Sequence, residues 1–114
     1  MANGIAPIQA QFDAPERVEL GNLVVDFTAY RARWKNKPIE LGPNQFRLLG
    51  HFACHPDRVH TRSGLIDQLG KDCRAIDERT VDVWIGRLRR ALRKQGATVP
   101  LRTVWSVGYV YDSQ

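Results

Sequence analysis

Arginine and lysine side chains are concentrated in one part of this 114-residue sequence, and they carry its strongest chemical signal. Between residues 79 and 102 there are seven cations and a single acid, Asp82. The cations are Arg79, Arg87, Arg89, Arg90, Arg93, Lys94 and Arg102. A guanidinium group presents a planar fork of donors that matches phosphate oxygens and guanine edges. The segment therefore predicts a polyanion-binding surface, and a merely solvated helix face is the plainer alternative.

The composition bounds the class of protein. A chain of 114 residues is expected to form one compact domain, and 43% hydrophobic with 25% charged residues argues against a disordered or low-complexity chain. No run of apolar residues exceeds three, so we expect no transmembrane helix and no membrane partner. Residues 1–13 lack lysine, arginine and an apolar stretch, which argues against a signal peptide. Cys54 and Cys73 are isolated and fit reduced thiols, so we predict a cytoplasmic protein.

Candidate catalytic and metal-binding residues are few. The sequence lacks the motifs of phosphate-binding loops, dinucleotide sites, zinc proteases and serine hydrolases. His51 and His55 have ligand-like spacing, with Cys54 and His60 nearby, but no fourth ligand is evident. We therefore expect two surface histidines, a buried thiol, no metal and no cofactor. We also expect no enzymatic activity, and a small basic enzyme acting on nucleic acid is kept as an alternative.

The elements that position the basic segment begin with short β-like pieces separated by turns. The spacing of these pieces predicts an antiparallel meander over Arg17–Leu20, Leu23–Phe27, Tyr30–Trp34 and Pro38–Leu41. Residues 1–16 show little periodicity and contain glycine and prolines. We interpret them as a flexible N-terminal arm or linker remnant, ahead of a single domain over 17–114.

Helical periodicity follows the meander. A first amphipathic helix is predicted from Pro43, which suits the first helical position, to just before Pro56. Thr61 can cap a short second helix that Gly70 ends. Asp77 caps the third and longest helix, which runs to about Lys94. Two segments after it, 101–104 and 109–111, predict a terminal hairpin.

The third helix divides into two faces. Its apolar residues fall in one sector, namely Val81, Trp84, Ile85, Leu88, Ala91 and Leu92. The other side holds Val83, Gly86, Arg87, Arg90, Arg93 and Lys94, with Arg89 at the border. A helix fits a DNA major groove, where arginine can bond guanine and Val83 can contact a thymine methyl group. A solvated helix more often mixes acids with bases, so nucleic-acid binding is favoured.

The first turns of two helices also suit phosphate. Arg79 and Thr80 open the third helix, where free backbone N–H groups and the positive dipole end favour an anion. Arg62 lies in the first turn of the second helix and follows the same logic. An exposed arginine in an ordinary first turn is the alternative.

Seven short segments together resemble the OmpR/PhoB family of response-regulator output domains, with PhoB-like members most similar. They are Arg79–Val83, Ile85–Leu92, Arg102–Val104, Gly108–Tyr109, Leu41–Pro43, Phe46–Leu49 and His55–Val59. The resemblance runs from about Val18 to Tyr111. It implies an α+β winged helix-turn-helix fold, with an N-terminal four-stranded antiparallel sheet, three helices and a C-terminal β-hairpin wing.

The resemblance also implies roles. The helix at about 78–94 would lie in the major groove and the wing at about 101–111 would reach the minor groove of double-stranded DNA. Base contacts would come from Val83 and Arg87. Phosphate contacts would come from Arg79, Thr80, Thr103 and Tyr109, to which we add Arg62, Trp84 and Arg90. Trp105 stands at the wing position where PhoB-like proteins commonly have arginine. We expect it at the minor groove, and a ring folded back on the domain near Val107 or Tyr111 is the alternative.

Partners follow from the same resemblance. The 71–76 loop, with Lys71, Asp72 and Arg74, would face RNA polymerase. Such bacterial regulators carry an upstream receiver domain that is phosphorylated on aspartate, and they pair head to tail on direct-repeat half-sites. We expect a monomer in the absence of DNA. This chain would be either an excised output domain or a free-standing relative, and a winged helix used only for protein contact is the alternative function.

Overall fold

Two antiparallel sheets flank three helices in the computed structural model, which describes residues 16–69, 77–96 and 100–113. The strands and helices are β1 Arg17–Leu20, β2 Leu23–Asp26, β3 Arg31–Trp34, β4 Lys37–Ile39, α1 Pro43–Cys54, β5 His60–Thr61, α2 Arg62–Leu69, α3 Glu78–Lys94, β6 Leu101–Val104 and β7 Gly108–Tyr111. This order confirms the predicted α+β winged-helix architecture. Residues 1–15 of the predicted 1–16 arm, Gly70, Cys73 and the predicted 71–76 loop lie outside the described residues.

The N-terminal sheet is the predicted meander, with order β1-β2-β3-β4 and every pair antiparallel. Two-residue turns set its register. Gly21 has φ 58 at the first turn position, and Lys35 and Asn36 have φ 51 and 69. Those signs match the II′ and I′ turns that suit the twist of paired strands. Alternation then buries one face of the sheet, and that face carries Leu23, Val25, Ala32 and Ile39.

Three predicted strands are shorter in the structure. The fourth spans Lys37–Ile39 instead of Pro38–Leu41. The second and third are shortened for a local reason. The Asp26 carboxylate accepts the backbone N–H groups of Thr28 and Ala29, each at 3.0 Å. This side-chain turn ends β2 one residue before Phe27. Tyr30 then has φ 59, a left-handed conformation that a strand cannot contain, so β3 begins at Arg31.

The helix starts follow the predicted capping chemistry. Pro43 opens α1, and the Thr61 hydroxyl oxygen accepts the Gly64 N–H at 3.0 Å at the start of α2. The Asp77 carboxylate caps α3 by accepting the Thr80 N–H at 2.9 Å. The apolar faces of the three helices pack into one core, whose largest buried side chains include Phe27, Phe46, Phe52, Leu65, Ile85 and Leu88.

One strand was not predicted. The two-residue β5 pairs antiparallel with β7, opposing His60 to Tyr109 and Thr61 to Gly108. The hairpin is therefore part of a three-stranded sheet of order β5-β7-β6. A Cβ atom at Gly108 would lie 2.0 Å from the His60 carbonyl oxygen, so glycine is required for this approach. The wing is thus joined directly to the start of α2.

The prediction of two surface histidines was wrong for His51. Its side chain is buried at the end of α1, and its ring centroid lies 4.9 Å from that of His55 and 4.7 Å from that of His60. His60 reaches it only because β5 folds back beside α1. Cys54 was predicted to be buried; it is half-buried and packs against the core. Within 16–69, 77–96 and 100–113, no helix is long and apolar enough to cross a membrane.

Candidate nucleic-acid interface

The third helix presents the two faces predicted from its sequence. Its buried residues are Val81, Trp84, Ile85, Leu88 and Leu92. On the opposite side Arg79, Val83, Arg87 and Arg90 are exposed. Val83 is an apolar side chain with 47% of its surface exposed, which is unusual for a helix whose other large apolar residues are buried. The structure therefore places both predicted base-contacting residues on the accessible basic face.

Val83 and Arg87 are one helical turn apart and lie side by side on that face. Gly86 lies just before Arg87, and a Cβ atom built on it would meet no other atom within 4 Å. The backbone surface here is open. The helix can therefore approach a groove floor closely at the point where Arg87 projects. Arg90 lies further along the same face and lines a shallow groove with Arg87, Lys94 and Glu40.

Hydrogen bonds to Asp82 connect α3 with α2 and with the wing, through Arg62 and Tyr109. The Oδ1 atom of Asp82 accepts the Arg62 Nε–H at 2.8 Å and the Tyr109 hydroxyl at 2.5 Å. The Tyr109 ring is buried, and the Arg62 guanidinium lies 5.6 Å from its centroid. Burial raises the pKa of Tyr109, and its bond to Asp82 raises it further. Two predicted phosphate-contacting residues are thus brought together around one carboxylate.

Arg89 makes contacts with the wing that the sequence did not predict. Its Nε and Nη2 atoms donate to the Leu101 carbonyl oxygen at 3.2 and 3.0 Å, and Nη2 also donates to the Thr103 hydroxyl at 2.8 Å. It lies over Tyr109 at 5.5 Å from the ring centroid. Arg89 therefore fastens α3 to β6 and orients Thr103, a predicted phosphate contact. Its position at the border of the two helix faces was the available signal.

Two of the predicted phosphate contacts have few free donors or little exposure. The Thr80 N–H and hydroxyl both donate to the Asp77 carboxylate at 2.9 Å. Trp84 is 7% exposed, so only an edge of its ring reaches the surface. Arg79, next to Thr80, is exposed. Of the three, Arg79 is the most accessible to a phosphate, and all three roles stay predictions.

The wing ends in an exposed tryptophan. The Val107 N–H donates to the Val104 carbonyl oxygen at 3.0 Å and closes the turn, and Ser106 has φ 64. Trp105, at this turn, is 86% exposed, so its ring does not pack back on the domain. On the same hairpin Arg102 is paired with Asp112 through Nε and Nη2, at 2.9 and 3.0 Å. Arg102 therefore contributes less free charge than the sequence count suggests.

His51, His55 and His60 lie next to one another near the end of α1. In the part of the chain that the structure describes, no cluster of three or more His, Cys, Asp or Glu residues could hold a metal ion. Burial, together with the neighbouring His60 and His55, lowers the pKa of His51 to about 4. The His60 pKa is lowered too, mainly by burial. Near neutral pH, His51 and His60 therefore pack as neutral rings.

A family comparison decides the identity of the domain. The family model described as "Transcriptional regulatory protein, C terminal" matches residues 36–111, which include all three helices and the wing. The chain belongs to this family. The relatives that match this chain are of the OmpR/PhoB type, so the resemblance inferred from the sequence is confirmed.

Curated relatives of this family are longer than the chain. The phosphate regulon regulator PhoB of Escherichia coli K12 is 36% identical over 99 residues, which are 87% of this chain and 43% of PhoB. PhoB of Pseudomonas aeruginosa is 37% identical over 102 residues, covering 90% of this chain and 44% of that protein. The chain spans less than half the length of the curated relatives it matches.

Solved structures of OmpR/PhoB-type domains have the same fold. The DNA-binding domain of the response regulator AdeR, solved in complex with an intercistronic region, has a TM-score of 0.72 and 27% identity, covering 80% of this chain and 93% of that one. DrrB, an OmpR/PhoB homologue from Thermotoga maritima, has a TM-score of 0.75 and 27% identity over 91% of this chain and 48% of its own. The winged-helix fold is thereby confirmed.

Proposed function

We propose that this domain binds double-stranded DNA by inserting α3 in the major groove while the β6–β7 wing reaches the adjacent minor groove. The observation that carries this is the fastening of the wing to α3 by Arg89, on a helix whose free face holds Val83 and Arg87. One rigid unit thus presents a helix of groove width and a protruding turn. The AdeR domain of similar fold, in its complex with an intercistronic region, supports this proposal.

The contacts separate into reading and positioning groups. Arg87 would bond a guanine edge and Val83 would pack on a thymine methyl group, since both lie on the open face beside Gly86. Phosphate contacts would come from Arg62, Arg79, Thr80, Trp84, Arg90, Thr103 and Tyr109. Trp105, exposed at the wing tip, would contact the minor groove edge.

The wider biological role extends the same proposal. The chain matches less than half of each PhoB relative, which supports an output domain that follows a receiver domain in a longer two-component regulator. We further propose binding as head-to-tail pairs on direct-repeat half-sites, and contact of the 71–76 loop with RNA polymerase. The domain would act in the bacterial cytoplasm as a regulator without enzymatic activity.

Selection from a random duplex pool, followed by affinity measurements across salt concentrations, tests this function. We expect an enriched motif, tighter binding to it than to a scrambled duplex, and a steep loss of affinity as salt rises. Pool selection without enrichment, combined with salt-insensitive binding, would contradict DNA readout and favour a protein-interaction module. Cleavage of the duplex during incubation with divalent metal would instead indicate the small basic enzyme.

A further inference from the structure

Asp82 is an acidic residue placed inside a cationic interface. It lies on α3 next to Val83, and its side chain is 43% exposed. Among the described residues, Arg62 and Tyr109 donate hydrogen bonds to it, and both are residues to which we assign phosphate contacts. An acid at such a position opposes DNA binding by charge, because it lies beside the phosphates that the surrounding cations attract. Attraction between the domain and DNA phosphates therefore does not explain why an acid stands at this position.

The geometry around Asp82 is that of a bound anion. One carboxylate oxygen receives a guanidinium N–H at 2.8 Å and a phenol O–H at 2.5 Å, which are charge-assisted distances. A phosphate oxygen uses the same donors in the same way. Burial opposes ionisation of Asp82, but the bonds from Tyr109 and Arg62 outweigh it and lower the pKa of the carboxyl. Near neutral pH Asp82 is therefore an anion already seated on these donors.

We propose that Asp82 is a specificity-determining residue, whose carboxylate occupies in the DNA-free domain the donors that a DNA phosphate uses in the complex. This inference rests on the phosphate roles assigned to Arg62 and Tyr109 under the proposed function. A phosphate can engage these donors only by displacing the carboxylate or sharing them with it. Repulsion between the two anions makes either arrangement unfavourable on random DNA. A duplex that also bonds Arg87 supplies additional free energy, so the exchange discriminates between sequences.

Matched charge variants test the role of Asp82. Asp82→Asn removes the anion and keeps the shape of the side chain. Glu78→Gln removes the same charge from the same helix, and Glu78 makes no hydrogen bond to Arg62 or Tyr109 in the described part of the chain. Each variant is measured for affinity to the selected duplex and to a scrambled one, over a range of salt concentrations, after thermal unfolding shows that it is folded.

We expect Asp82→Asn to tighten binding to the scrambled duplex several-fold more than Glu78→Gln does, and to lower the ratio of selected to scrambled affinity. The slope of log affinity against log salt should steepen by about 1 on scrambled DNA, because Arg62 becomes free for one more phosphate. Identical effects of the two variants would overturn the inference. So would equal weakening on both duplexes, which would make Asp82 a residue that merely positions Arg62 and Tyr109.

A second pair of variants separates this inference from the proposed function. Arg62→Ala should make the salt slope on the selected duplex shallower by about 1, and it should abolish the extra gain from Asp82→Asn. If Arg62→Ala leaves that slope unchanged, the phosphate role of Arg62 is wrong. If the slope changes but the gain from Asp82→Asn persists without Arg62, the phosphate role stands and the competition through Arg62 is wrong.

Discussion

Arg89, in the middle of α3, donates to the carbonyl oxygen of Leu101 at the start of β6, at 3.0 Å through Nη2 and 3.2 Å through Nε. This contact fixes the wing relative to the helix whose exposed residues we propose as base contacts. Arg89→Ala leaves the carbonyl group without this donor, so we expect a loss of about 1–3 kcal/mol in the free energy of unfolding. Denaturant unfolding measures the loss, and faster amide exchange in β6 should accompany it. Arg89→Lys keeps the charge but not the paired donors, and full stability in that variant would contradict the fastening role.

Arg87 is expected to read sequence. It is exposed on α3 beside the open backbone at Gly86. Removing an arginine that bonds guanine costs about 1–3 kcal/mol at the selected site. Arg87→Ala should therefore weaken binding to the selected duplex much more than binding to a scrambled duplex, as measured by titration at fixed salt. Equal losses on both duplexes would make Arg87 a phosphate contact.

Arg79 is expected to act on the backbone instead. It is exposed in the first turn of α3, away from Gly86. Arg79→Ala should weaken binding to all duplexes alike and make the slope of log affinity against log salt shallower by about 1. Titrations at several salt concentrations measure both quantities. A changed base preference with an unchanged slope is the result that this assignment does not allow.

Substitution of Trp105 is expected to change DNA affinity without changing the stability of the domain. Because its side chain is 86% exposed, Trp105→Ala should leave the melting temperature unchanged while lowering DNA affinity. Trp105→Arg should strengthen binding mainly at A·T-rich flanks, where the narrow minor groove has a more negative potential. Affinities for duplexes that differ only in their flanks check both variants. A stability loss without an affinity loss in the alanine variant would make Trp105 a packing residue.

His51 makes stability depend on pH. Its pKa is about 4 in the folded domain against an ordinary value of 6.5, so the unfolded chain binds a proton more readily. The free energy of unfolding should be highest above pH 6.5 and fall as the pH decreases to 4, by about 3 kcal/mol in total. Thermal unfolding across that range measures it. His51→Phe should remove most of this dependence, and His60, with its lowered pKa, should account for a remainder.

The parts of the fold that local sequence determines were predictable. A cap, a turn or an apolar period is set by residues that are only a few positions apart in the sequence. The Asp77 cap, the two faces of α3 and the meander could therefore be predicted. Features that depend on distant contacts were not. His60 pairs with Tyr109 through a strand of two residues, too short to show a pattern. The burial of His51 depends on the same strand, because β5 places His60 against it.

The candidate site divides in the same way. The helical period placed Val83 and Arg87 on the basic face of α3, and the family resemblance singled them out there as base contacts. The partners of Asp82 are 20 and 27 residues away in sequence, and those of Arg89 are 12 and 14 residues away. No spacing rule links such residues. Whether a charge in the basic segment is free or already paired is therefore a property of the folded domain.

The pairing of β5 with β7 also fixes a distance. Thr61 caps α2 with its hydroxyl group while its backbone opposes Gly108, so a single residue ties the helix start to the base of the wing. With Arg89 holding the other strand of the hairpin, the span from the exposed face of α3 to the tip at Trp105 is set when the chain folds. The fold therefore fixes the distance between the two parts of the domain that we propose to contact DNA. In the proposed complex a duplex would have to match that distance or deform to meet it, so differences in groove width would become differences in affinity.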